Sequence, residues 1–277
     1  MEIALAELAP VAGDVERNVA RAAEVVRAAP AALIVFPELY LTGYRVGDRF
    51  HKLAIREHEP RLTELAEALE GTGRSAVVGA PTVGSRRGEV DNSVLLLRPD
   101  GTRFTQGKRY LPTYGPFEEG GIFSPSESST AAAFGPEKVG LSICYDAFFP
   151  EVFRALALDG ANLFVCVSAA PVTSRRLFEK VLPARAVENA APLVYVNRVG
   201  VEDGIVFGGG SRAYDARGEP LAERPLTNLS LGPDEKVVLV DVDVNEPARW
   251  RPFRPVLRDV AQRPGHRPSG PTRTTDL

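Results

Sequence analysis

The stretch "VGLSICYDAFFPE", residues 139–151, sets a cysteine between an apolar run and an acidic, proline-containing helix start. Cys144 is one of two cysteines; the other, Cys166, lies mid-run in "LFVCVSAA". Core filler, half of a disulfide, metal ligand and nucleophile are all open to such a thiol. Two further stretches end in the same way. "LIVFPELYLTGY" (33–44) places Glu38 just past an apolar run, and "QGKRYLPTYGPFEE" (106–119) places Lys108 at the end of another. Taken singly, each has an ordinary reading: a solvated glutamate, a solvated lysine, a buried structural cysteine. Taken together, they would supply a nucleophile, a proton carrier and a cation, each just beyond the C-terminal end of an expected strand, where α/β sheets bind ligands.

The elements that must position these groups follow from periodicity. "EIALAEL" (2–8) alternates as a strand does. Val15, Val19, Ala22, Ala23 and Val26 form one apolar helical face, with Asp14 as N-cap, predicting a helix over 14–29. The continuous run 31–38 predicts a strand buried on both faces. A second helix is expected over 59–70, then strands at 75–81, 93–99 and 102–108, the last two joined at Asp100-Gly101. A long loop (109–130) precedes a strand (138–144), a helix (149–159), a strand (162–168), a helix (174–190) and a strand (192–198). Hairpin-like strands at 205–216 and 220–224 precede a last strand, 236–243. Parallel βαβ units thus mix with antiparallel hairpins, and strands outnumber helices. Two sheets packed face to face with helices outside satisfy that count. No repeat or linker interrupts residues 1–261, read as a single domain. The polar tail, 262–277, is expected to be disordered or an arm on a partner subunit.

Composition excludes several function classes. The 277 residues carry 44% hydrophobic side chains and a net charge of −3, which gives no electrostatic reason to expect nucleic acid or an anionic membrane as partner. No apolar run approaches the roughly 18 residues a membrane span needs. The opening "MEIALAELAP" lacks the basic start of a signal peptide, and two cysteines make no disulfide framework, so a reducing cytoplasm is expected. There is no H-x-x-x-H or C-x-x-C, so no metal is expected, and no cofactor. "FGGGSR" (207–212) lacks the spacing of a phosphate loop and reads as a tight hairpin. Only five of the 33 basic residues are lysines, so a retained lysine hints that arginine was unacceptable there.

The three stretches together resemble the carbon–nitrogen hydrolase (nitrilase) superfamily. That family shows a glutamate in an F-P-E block, a lysine three residues before Leu-Pro, and a cysteine in C-[YWE]-[DE]-x-x-[FY]-P-E. Here these are Phe36-Pro37-Glu38, Lys108-Arg109-Tyr110-Leu111-Pro112 and Cys144 to Glu151. "ANLFVCVSAAP", "ARAVENAAPLVYVNRVG" and "GGGSRAYDARGE" resemble later family segments, so residues 1–245 are covered in order. The resemblance implies a four-layer α-β-β-α sandwich of two mixed sheets with helices on the outer faces. It implies a second glutamate after Leu-Pro: register selects Glu119, with Glu118 as fallback. Where the family often continues E-x-R, position 121 is glycine, which puts the pairing of Glu119 in doubt. The resemblance also implies a homo-oligomer, a dimer or higher.

The chemistry has a physical logic. An ordinary thiol is only a few per cent thiolate at pH 7. None of the three histidines (51, 58, 266) lies in a stretch resembling a Cys-His protease motif, so a carboxylate must serve as base. Glu38 would take the proton of Cys144, return it to the departing amine, then activate the water that cleaves the thioester. Lys108 and the backbone N–H of Tyr145, at the start of a helix, would stabilise the oxyanion. Glu119 would fix the lysine and position the substrate. Tyr114, Phe117 and Phe148, with Tyr40 and Phe149, are expected to wall an apolar pocket, and Arg175 to bind a substrate carboxylate. The C-Y-D form looks more like the amidase branches than the C-W-E nitrilases, which favours a small-molecule primary amide as substrate. Other segments resemble the glutaminase domains of NAD synthetases. A free-standing glutaminase, an N-carbamoyl amidohydrolase, a nitrilase and a non-catalytic scaffold stand as alternatives.

Overall fold

The structure, a computed structural model, describes residues 1–262. The expected tail therefore lies outside the described residues except for its first position. Along the chain the elements are β1 (Glu2–Glu7), α1 (Val15–Ala28), β2 (Leu33–Val35), α2 (Phe50–Leu53), α3 (Thr63–Leu69), β3 (Ser75–Val83), β4 (Val90–Leu97), β5 (Arg103–Gly107), β6 (Ala131–Phe134), β7 (Glu137–Ile143), α4 (Pro150–Leu158), β8 (Leu163–Ser168), α5 (Arg175–Asn189), β9 (Leu193–Asn197), β10 (Val199–Glu202), β11 (Ile205–Gly208), β12 (Arg212–Tyr214), β13 (Glu223–Pro225), β14 (Lys236–Asp241), α6 (Glu246–Trp250) and α7 (Val256–Ala261).

Two mixed sheets form. One has seven strands in the order β13-β14-β1-β2-β3-β4-β5, the other five in the order β12-β9-β8-β7-β6. Strands β1, β2 and β3 run parallel, as do β7, β8 and β9. Side-chain alternation assigns each strand residue to one of two apolar layers. Ala4 and Ala6 of β1 pack toward α1 and α3, whereas Ile3 and Leu5 face the five-stranded sheet. Val165 and Val167 of β8 face inward, whereas Phe164 and Cys166 pack toward α4 and α5. Three apolar layers separated by two sheets give the α-β-β-α sandwich. Because central strands are buried on both faces, their sequences read as unbroken apolar runs.

Local signals act as expected at several places. The Asp14 carboxylate accepts from Arg17 N–H at 3.1 Å and caps α1. Gly101 turns β4 into β5 at φ +80°, a conformation open to glycine at no steric cost. Elsewhere the elements differ from the periodicity. Strand β2 is only three residues long, since the chain leaves the sheet before Pro37. The expected strand 205–216 is two strands, because Gly209 (φ +57°) and Gly210 (φ +83°) turn the backbone between them. β11 pairs with β10, and β12 pairs with β9. The partner expected at 220–224 crosses to the other sheet, where β13 pairs with β14. Strand β6, "AAAF", closes the edge beside β7 without an alternating pattern that would reveal it.

One close approach matters for the site. A Cβ on Gly79 of β3 would lie 2.4 Å from Pro37 O and Leu39 N and 2.6 Å from Glu38 Cα, all backbone atoms. Gly79 also donates to Pro37 O at 3.1 Å and accepts from Leu41 N–H at 3.1 Å, so the Glu38 turn rests directly on it. Gly79→Ala is expected to cost about 1–3 kcal/mol through overpacking. At about 2–4 °C per kcal/mol for a domain of this size, the loss is readable by calorimetry, with activity falling alongside because Glu38 must shift.

Candidate active site

Glu38 follows β2, Lys108 follows β5 and Cys144 follows β7, so two groups come from one sheet and the third from the sheet facing it. The Lys108 side chain is fully buried, and Glu38 and Glu119 are 1% and 3% exposed. Lys108 Nζ lies 2.7 Å from Glu38 Oε1 and 2.7 Å from Glu119 Oε1. Burial by itself would push the ammonium's pKa down, but the carboxylates of Glu119 and Glu38 overcome it and hold Lys108 well above the usual lysine value. For Glu119 burial wins, and its pKa is raised despite Lys108.

Further donors fix both carboxylates. Asn92 Nδ2, from β4, donates to Glu38 Oε1 at 2.8 Å, and Ala169 N–H donates to Glu38 Oε2 at 2.7 Å. The Tyr44 hydroxyl donates to Glu119 Oε1. Glu119 sits in a 3-10 turn, Glu119–Gly121, whose carbonyl accepts from Ile122 and Phe123 N–H groups. That turn forms with glycine at 121, and Glu119 still pairs with Lys108; Glu118 is exposed.

Cys144 takes φ +46°, and Leu39, next to Glu38, takes +49°. Non-glycine residues in this left-handed region store strain, which concentrates at functional sites. Burial raises the Cys144 thiol well above its ordinary pKa, Glu38 adds to the rise, and Lys108 opposes it. The resting group is therefore a thiol, near enough to Glu38 and Lys108 for both charges to act on its pKa. Parallel register brings Ser168, at the end of β8, alongside Cys144, and its hydroxyl also lowers the thiol's pKa. Cys166 points into the layer under α4 and α5, and burial pushes its pKa up to about 12, so it is core filler.

Asp146 ties the two sheets together at the site. Its buried carboxylate accepts from Ile143 N–H (3.1 Å), Arg109 N–H (3.2 Å) and Tyr110 N–H (2.9 Å). It thus joins the turn that carries Cys144 to the residues that follow Lys108. Burial outweighs these bonds and lifts its pKa to about 7.

The thiol opens into a cavity of about 240 Å³, walled by Tyr44, Tyr114, Phe117, Tyr145, Phe148 and Phe178 among others. Among the described residues no helix is long and apolar enough to cross a membrane, and no group of three or more His, Cys, Asp or Glu is arranged to hold a metal.

Residues 2–252 match the family model described as carbon-nitrogen hydrolase. The chain belongs to the carbon–nitrogen hydrolase family. An (R)-stereoselective amidase from a Pseudomonas species is 34% identical over 250 residues, covering 89% of this chain and 86% of that one. A glutamine-dependent NAD(+) synthetase from Thermotoga maritima is 32% identical over 257 residues, 90% of this chain but 43% of the synthetase. The chain thus spans less than half the length of that relative. A solved glutamate-to-glutamine mutant of the Nesterenkonia sp. AN1 amidase superposes with a TM-score of 0.73 at 28% identity, over 92% of this chain and 94% of that one. That mutant carries the acetamide moiety of fluoroacetamide covalently at its active-site cysteine.

In this carbon–nitrogen hydrolase the structure brings Glu38, Lys108, Glu119 and Cys144 together, and Tyr114, Phe117, Tyr145 and Phe148 line the cavity. Three expectations need correction. Tyr145 does not begin an α-helix: Cys144–Phe148 is a 3-10 turn and α4 starts at Pro150, so the dipole of α4 is not aimed at its N–H. Tyr40 is buried under α1 against Phe36, Phe149 is stacked on Tyr110, and neither lines this cavity. Arg175 begins α5, pairs with Glu179 at 3.2 Å one turn on, and borders a different cleft beside Gly210 and Tyr214. Its helical phase turns it away from the cavity that Ser174 and Leu177 reach. Tyr44 and Asn92 are site residues that the motifs did not single out, and Asp146, within the cysteine motif, had been given no role there. A polar Asn inside the apolar strand "VDNSVLLL" was the available signal, since such a group must find partners.

Asp146 generates a pH prediction. Folded, it keeps its proton to about pH 7, whereas an unfolded aspartate loses it near pH 4. The folded state binds more protons in that window, so this contribution to stability falls as pH rises from about 4 and is lost above about 7. Asp146→Asn cannot ionise and leaves one N–H without its acceptor. Denaturant melts across pH 4–8 should show it less stable than wild type at pH 4, with the gap narrowing toward pH 8.

Proposed function

We propose that the protein hydrolyses a primary amide to a carboxylic acid and ammonia through a thioester on Cys144. The observation that carries this reading is the buried Glu38–Lys108–Glu119 cluster set against a thiol that opens into a cavity. The Nesterenkonia amidase, with its cysteine adduct, supports it.

The steps follow from where the groups sit. A neutral thiol needs a base as it attacks, and Glu38 takes that proton while the S–C bond forms. The oxyanion is stabilised by Lys108 Nζ and the Tyr145 N–H. Protonated Glu38 gives its proton to the amide nitrogen, the C–N bond breaks, and ammonia leaves. Water then attacks the thioester, losing a proton to Glu38. The C–S bond breaks, the acid leaves, and the proton returns to the sulfur. Glu38 is held at both oxygens, by Lys108 and Asn92 on one side and Ala169 N–H on the other, so it stays in place through each transfer. Glu119, bonded by Lys108 and Tyr44, fixes the ammonium and faces the substrate nitrogen.

A second reading has its own support. The 32% identity to a glutamine-dependent NAD synthetase over 90% of this chain favours a glutaminase that supplies ammonia to a synthetase.

Incubation with short amides is expected to release ammonia and to show, by intact mass, an acyl adduct that Cys144→Ala abolishes. Absence of ammonia from every amide, nitrile and carbamoyl compound tried would favour a scaffold that merely keeps the fold. Lys108→Arg is expected to lose on the order of 100- to 1000-fold in kcat, as when one oxyanion contact is removed. A guanidinium cannot occupy a site sized for one ammonium between two carboxylates.

A further inference from the structure

Resting on the amidase reading, we propose that the acyl group this site accepts is uncharged and apolar: an aromatic or branched aliphatic carboxamide, and not an amino-acid amide such as glutamine or a carbamoyl amino acid. The chemistry of the wall carries this. Phe148 and Phe178 meet edge to face at 5.1 Å, and Phe178 is in turn stacked on buried Tyr195 at 5.1 Å. The small side chains of Ala169 and Ala170 and the aliphatic Leu177 continue the apolar surface. Glu119 carries the one carboxyl group among the residues lining the cavity, and Lys108, Tyr44 and Asn92 already hold it.

Glutamine would bring an α-ammonium and an α-carboxylate into this space. Each needs an opposite charge or several hydrogen bonds to offset lost hydration. Two cations on flanking segments are engaged elsewhere. Arg45 pairs with Asp203 at 2.8 Å and donates to Pro116 O, and Arg175 pairs with Glu179. The cavity's volume of about 240 Å³ exceeds the roughly 150 Å³ of an apolar cavity that admits benzene, which suits a single ring or a branched chain beyond the reacting carbonyl.

The test compares kcat/KM for ammonia release from matched amides: benzamide, phenylacetamide and isovaleramide against L-glutamine, succinamic acid and N-carbamoyl-β-alanine. Neutral amides are expected to lead their charged counterparts by about 100-fold or more. Leu177→Arg, at a half-exposed position on the cavity's rim, should narrow that gap by about tenfold for the carboxylate-bearing amides. A charged amide turned over as fast as its neutral counterpart would overturn the substrate class and leave the hydrolase reading standing. So would a gap that Leu177→Arg leaves unchanged, since the acyl group would then lie elsewhere. No ammonia from either set overturns the amidase reading, and this proposal with it.

Discussion

The site depends on one buried ammonium held between two carboxylates. Glu38 and Glu119 are both removed from water and both contact Lys108 Nζ at 2.7 Å. Two carboxylates this close repel, and the cation between them offsets that repulsion. The lysine in turn keeps its charge only because both are there, since burial by itself would strip it. Removing one partner from such a buried pair costs about 3–5 kcal/mol, because a charge is left without compensation. The group proposed to stabilise charge in the reaction is therefore also the group that lets this part of the sandwich fold. Arginine, abundant elsewhere in the chain, has too large and planar a head for the position.

The surrounding structure brings these three groups to one point and holds them there. Two strands, β3 and β4, lie between β2 and β5 in the sheet order and would leave Glu38 and Lys108 apart, but Asn92 on β4 spans the gap by donating to Glu38 while its carbonyl accepts from Lys108 N–H at 2.7 Å. Gly79 allows the Glu38 turn to rest on β3 without a side chain in between. Asp146 carries the connection to the second sheet, accepting from backbone groups on both sides of the cleft. Strain at Leu39 and Cys144 is sustained by these bonds. Catalytic geometry here is a property of backbone contacts between strand ends, more than of the reactive side chains themselves.

The apolar wall is the second determinant. Aromatic residues from the segments after β5, β7 and β8 interlock through Tyr114, Tyr145, Phe148 and Phe178. Water excluded by such a wall strengthens every electrostatic contact within it. The same property limits what can enter, because an uncompensated charge there carries the full cost of desolvation.

The layered architecture was legible in the sequence because burial on two faces forces unbroken apolar runs, as in β8, and one-sided burial forces a stripe, as in α1. Glu38, Lys108 and Cys144 stood out as reactive groups just past apolar runs, each with an ordinary reading when taken singly; their grouping, and the choice of Glu119, came from the resemblance to the carbon–nitrogen hydrolases. The roles of Tyr44, Asn92 and Asp146 could be assigned only once coordinates showed their partners, since a hydrogen bond over 36 to 75 residues leaves no periodic trace. The break at Gly209 and Gly210, the passage of β13 into the other sheet and the turning away of Arg175 were likewise decided by tertiary structure. Local composition determines which elements form and which reactive groups end them. Which side chains then meet across two sheets is set by packing and register, and those are properties of the whole folded chain.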